Sequence, residues 1–125
     1  MEFPKTYIIN LDKDTERLTK VTKQLNDYNI TNFTRIPGVY GKDLSKTQIK
    51  EVASDFCSNF CTKSSIGCAL SHIKAYKTIL KNDDEYALIL EDDVVFETNF
   101  KELVKEKLLM IPKDFDIVYL GCSMC

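Results

Sequence analysis

Residues 86 to 96 read Tyr-Ala-Leu-Ile-Leu-Glu-Asp-Asp-Val-Val-Phe. A run suited to a buried strand passes directly into three acids and then turns apolar again. Ionised carboxylates are costly to bury unless something pairs with them. The acids must therefore sit where the strand leaves the core. In open α/β sheets that is where ligands bind, beyond the carboxyl ends of the strands. The stretch predicts a central strand over 86–90, with Leu88 and Leu90 buried and its chemistry at its tip.

The flanking segments fit an α/β sheet. "TYIINL" (6 to 11) reads as a strand covered on both faces, and a helix follows from about Asp14 to Tyr28 with Leu18, Val21, Leu25 and Tyr28 on one face. "FTRIP" (33 to 37) is a second short strand, and "GVYGKDL" is a loop with two glycines. Ser45 and Gln48 have capping-box spacing for a short helix carrying Ile49 and Val52. Residues 54 to 63 read as irregular. Ser64 or Ser65 would cap a longer helix, with Ile66, Ala69, Leu70, Ile73, Tyr76 and Leu80 on its core side. Phe100, Leu103, Val104 and Leu108 mark a helix stopped by Pro112, and "FDIVYLG" (115 to 121) is a last strand. Alternation of this kind predicts a mostly parallel sheet flanked by helices, in one domain over 1–125.

Composition narrows the function. A formal charge of −2 offers no basic surface for nucleic acid, and the N-terminus is neither a signal peptide nor a membrane span. The expectation is a cytoplasmic protein. The cysteine count, 5, is odd, which argues against a disulfide framework. Cys57-x3-Cys61 and Cys122-x2-Cys125 could together form a tetrathiolate zinc site, and the plainer alternative is reduced thiols with Cys68 packed on a helix.

At the strand tip, side chains at i and i+2 point the same way, so Glu91 and Asp93 can converge with Asp92 turned aside. Two close carboxylates repel unless one is protonated or a cation lies between them. A hard ion such as Mn²⁺ or Mg²⁺ suits carboxylate oxygens and leaves positions for phosphate. A solvated acidic turn is the alternative. Asn10, Asp12 and Asp14 follow the first strand, with Arg17 one helical turn later, where it can reach phosphate. There the alternative is Asp14 as an N-cap and Arg17 on a solvated face. His72 is the single histidine, placed beside the apolar face of its helix and more ordinarily structural than catalytic.

Taken in order, "YIINLDKDTERL", "RIPGVYGKDL", "SSIGCALSHIKAYKTIL", "YALILEDDVVF" and "FDIVYLG" resemble glycosyltransferase family 25 across nearly the whole chain. That family includes bacterial lipopolysaccharide glycosyltransferases and collagen galactosyltransferases. Tyr40 stands where the family usually has an acid. The resemblance implies a GT-A-like, Rossmann-like fold that holds a UDP-sugar over the sheet with Mn²⁺ or Mg²⁺. It implies Asp93 as metal ligand with Glu91 in support, Asp92 near the ribose or sugar, Asn10, Asp12 and Arg17 near the nucleotide, and Ser71 and His72 shaping the pocket. The acceptor would be a glycan, lipopolysaccharide or hydroxylysine-type group.

In that family the domain continues past the Leu-Gly at 120–121. The chain is accordingly expected to be truncated on its acceptor side, with no general base identifiable and with a homo-oligomer or complementing chain covering an open edge. Two other functions compete. One is a non-catalytic nucleotide-sugar-binding remnant. The other is an aspartate-dependent phosphatase with Asp12 as nucleophile, against which Glu16 is a poor match.

Overall fold

A computed structural model describes residues 2–121. The fold is α/β, with a three-stranded parallel sheet flanked by helices. The strands are β1 (Lys5–Asn10), β2 (Phe33–Pro37) and β3 (Ala87–Glu91), in the order β2-β1-β3. The helices are α1 (Thr15–Asp27), α2 (Lys46–Val52), α3 (Asp55–Phe60), α4 (Lys63–Lys81) and α5 (Phe100–Met110).

β1 is the middle strand and, as its unbroken apolar run requires, is covered on both faces. Ile8 packs on one face with Val21 and Leu25 of α1, Ile30 and Leu90, against Phe96 and Phe100 at the start of α5. Tyr7 packs on the other with Ile36 and with Ala75 of α4. The Tyr7 hydroxyl accepts from Asn82 and donates to Asp84, just past the end of α4. Burial and then the Asp84 carboxylate push its pKa up.

The first helix has the expected limits, although the Asp14 side chain does not cap it. Ser45 and Gln48 form a complete capping box, and α5 ends at Met110, just before Pro112.

Five expectations are corrected. First, β3 is not central: among the described residues it pairs only with β1, so its other edge is open. Leu90 is buried, but Leu88 is only half-buried. Second, residues 115–121 form no strand. Ile117, Tyr119 and Leu120 are exposed, so the strand-like alternation of this segment is not taken up by either edge of the sheet. Among the described residues the open edges are those of β2 and β3.

Third, the segment read as irregular contains α3, capped by Ser54, and Thr62 rather than Ser64 or Ser65 caps α4. Fourth, α4 is rotated from the expected face. It buries Ile66, Gly67, Ser71 and Ala75 and leaves Ile73, Tyr76 and Leu80 exposed. Its small residues admit a close approach: a Cβ on Gly67 would lie 2.6 Å from the Gly41 nitrogen, in a 3-10 turn over Gly41–Asp43. Fifth, Cys57 and Cys61 are joined in a disulfide, which removes them from the suggested zinc site. Cys122 and Cys125, the other half of that site, lie outside the described residues. Cys68 is free and exposed rather than packed away.

Candidate functional site

The parallel register brings the chemistry to one edge. Ile9 pairs with Glu91 across β1 and β3, and Asn10 pairs with Pro37 across β1 and β2. All three strands therefore end together, and the acids of β3 emerge beside the end of β1.

Asn10 organises the first half of this edge. It is almost fully buried, yet its amide donates to the Asp14 carbonyl at 2.9 Å and to Asp92 Oδ2 at 2.8 Å, while its Oδ1 accepts from Arg35 Nε at 2.8 Å. Arg35 also donates to the Asn10 carbonyl at 2.9 Å and to Asp12 Oδ1 at 2.6 Å. Arg17 lies 3.6 Å from Asp92, whose side chain is only 10% exposed. Asp92, in the turn just beyond β3, thus faces back toward β1.

The second half faces α4. His72 Nε2 lies 3.1 Å from Glu91 Oε1, and Cys68 Sγ lies 3.6 Å from the same oxygen. Burial pushes the Cys68 thiol up, with Glu91 next and Asp93 adding to it. Among the described residues Asp93 has no ion-pair partner, and Glu91 has only His72. Exposed carboxylates with this little compensation fit a hard divalent cation.

Ser71 is placed differently from the others. It is buried, its hydroxyl donates to the Gly67 carbonyl at 2.7 Å and accepts from Val39 N–H at 2.8 Å. It ties the loop after β2 to α4 and has its hydrogen bonds made within the fold. Tyr40, in that loop, lies under the Lys13 ammonium at 4.5 Å from the ring centre.

Asn10, Asp12, Arg17, His72, Glu91, Asp92 and Asp93 thus gather along one edge, with Ser71 beneath it. Two participants were not among the candidates. Arg35 could be found only by knowing that β2 lies beside β1. Cys68 was visible in principle, because it precedes His72 by four residues and so shares its helix face.

Residues 3–123 match the family described as glycosyltransferase family 25 (LPS biosynthesis protein). The chain is similar to procollagen galactosyltransferase 1-B of Xenopus laevis, with 31% identity over 97% of the chain and 21% of that protein. It is similar to a glycosyltransferase 25 family member of Anopheles gambiae, with 29% identity over 92% of the chain and 21% of the relative. A probable inactive glycosyltransferase 25 family member 3 of Rattus norvegicus is 26% identical over 97% of the chain and 23% of its own length. The chain spans about a fifth of the length of these relatives.

Proposed function

The chain belongs to glycosyltransferase family 25, and from that premise we propose that it supplies the nucleotide-sugar side of a glycosyl transfer. The donor is a UDP-sugar, probed as UDP itself. The acceptor class is a glycan, lipopolysaccharide or hydroxylysine-type hydroxyl; the family's description names LPS biosynthesis, and the names of several relatives name procollagen. The observation that carries this reading is the common end of the three strands, where carboxylates and guanidinium groups stand together beyond the sheet.

In this reading Asp93, supported by Glu91, holds Mn²⁺ or Mg²⁺. The ion supplies neutralisation of the diphosphate charge as the sugar leaves. Arg17, 59% exposed at its side chain, is free to turn from Asp92 toward phosphate. Asn10 keeps Asp92 oriented for the ribose or sugar hydroxyls, and Asp12 is held by Arg35 at the rim. Ser71 acts as a positioning residue for the loop that carries Tyr40.

No helix among the described residues is long and apolar enough to cross a membrane. A disulfide such as Cys57–Cys61 persists in oxidising compartments, so the cytoplasmic placement expected from the N-terminus is not carried into this reading.

The test is calorimetry with UDP. Binding is expected to be tighter with Mn²⁺ than with a chelator, and Asp93→Asn is expected to weaken it by about 1–3 kcal/mol, the scale of a lost charge-assisted contact. Equal affinity in Asp93→Asn and the parent chain would remove the metal–diphosphate assignment. A probable inactive member among the relatives supports a second reading, in which the chain binds donor without transferring it. Turnover of UDP-sugars with acceptor separates the two.

A further inference from the structure

Cys68 and His72 stand one helical turn apart on α4 and both point at Glu91. Their ligand atoms, Sγ, Nε2 and a carboxylate oxygen, all lie within 4.8 Å of one another. We propose that Cys68, His72 and Glu91 form a site for a borderline divalent ion of the Zn²⁺ or Co²⁺ type, distinct in ligand chemistry from the hard-ion site assigned to Asp93. The proposal shares Glu91 with the nucleotide reading but does not depend on it.

Three observations support it. The first is geometry. Tetrahedral zinc with ordinary bond lengths sets an N···O edge of roughly 3.3 Å and an S···O edge of roughly 3.5 Å. The free protein already holds these pairs at 3.1 Å and 3.6 Å. Coordination would therefore require shifts of only a few tenths of an ångström at those two edges. The second is ligand softness. Thiolate and imidazole favour zinc-like ions, whereas magnesium prefers an all-oxygen shell. The third is access. Cys68 and Glu91 are exposed and His72 is half-buried, so three protein ligands face an approach from solvent, and a fourth position remains for water or an incoming group. On binding, the Cys68 thiol gives its proton to solvent and the thiolate takes its place on the ion.

The competing account is a hydrogen-bonded cluster that needs no ion, in which His72 and the Cys68 thiol donate to Glu91. Absorption spectroscopy with Co²⁺ decides between them. The chain would carry Cys122→Ser and Cys125→Ser, keep its disulfide, and be titrated with Co²⁺ alone, without nucleotide. The expected result is a thiolate-to-cobalt charge-transfer band in the near ultraviolet with intense visible bands of four-coordinate cobalt, bleached by one equivalent of Zn²⁺. Cys68→Ser should abolish the charge-transfer band, and His72→Ala should weaken Co²⁺ binding by about tenfold or more. Circular dichroism confirms that both variants are folded. A weak six-coordinate spectrum without a charge-transfer band, or a band that survives Cys68→Ser, would overturn the proposal. Asp93→Asn should leave the thiolate band in place while weakening UDP binding, so failure of either reading is distinguishable from failure of the other.

Discussion

Two sets of acids stand at the same sheet edge under opposite conditions. Asp12 and Asp92, beside the end of β1, each face a guanidinium, and Asp92 also accepts from a buried amide. Glu91 and Asp93, at the end of β3, face a thiol, an imidazole and solvent. The first set is compensated within the chain, so its charges help to hold the fold. The second leaves negative potential in place, and a cation from outside is what would balance it. Adjacent residues of one triplet thus differ in how they are compensated: Asp92 is paired within the chain, while its two neighbours are left more open to a cation.

The contrast can be broken most severely at Asn10. Replacing it with Ala removes a buried side chain that serves Asp92, Arg35 and the Asp14 carbonyl at once. The expected cost in urea denaturation is about 2–4 kcal/mol, because buried polar partners are left unpaired. A cost under about 1 kcal/mol would show that the β1 half is not held by this network.

Arg35→Lys sharpens the same point on a smaller scale. Lys keeps the charge but cannot fork between Asn10 and Asp12. About 1 kcal/mol should be lost, and a variant as stable as the parent would mean that charge alone suffices there.

Glu91→Gln probes the other half and should change stability least, within about 0.5 kcal/mol. Removing that charge sacrifices only a partly exposed pairing with His72. A loss above about 1 kcal/mol would make the Glu91–His72 contact a fold contact and erase the distinction between the halves.

What could be read in advance follows the same division between local and non-local causes. The first two strands, α1 and the Ser45–Gln48 box are set by runs, periods and caps that lie within a few residues. The acids at the tip of "YALIL" were legible for the same reason, since an apolar run meeting charge needs no distant partner to be noticed. The position of β3 in the sheet depends on which edges find partners, and no local pattern encodes that. In α4 the apolar stripe pointed to the wrong face. Close contact with the turn at Gly41 selects small residues, so the buried line runs through Gly67, Ser71 and Ala75 rather than through Ile73, Tyr76 and Leu80. Arg35 became part of the site through sheet order, and Cys68 through the rotation of α4.

The glycine contact has a further consequence for Cys68 and His72. Each directly follows a residue that is locked against the segment after β2: Cys68 follows Gly67, pressed against the turn at Gly41, and His72 follows Ser71, bonded to Val39. Consecutive side chains on a helix are splayed by about 100°, so fixing one residue of each pair aims the next. The thiol and the imidazole are therefore preorganised: their backbone freedom was lost when α4 docked, and an arriving ion has little left to immobilise. A bulkier side chain at position 67 would push against Gly41, and its effect would be felt one residue later, as a misdirected Cys68.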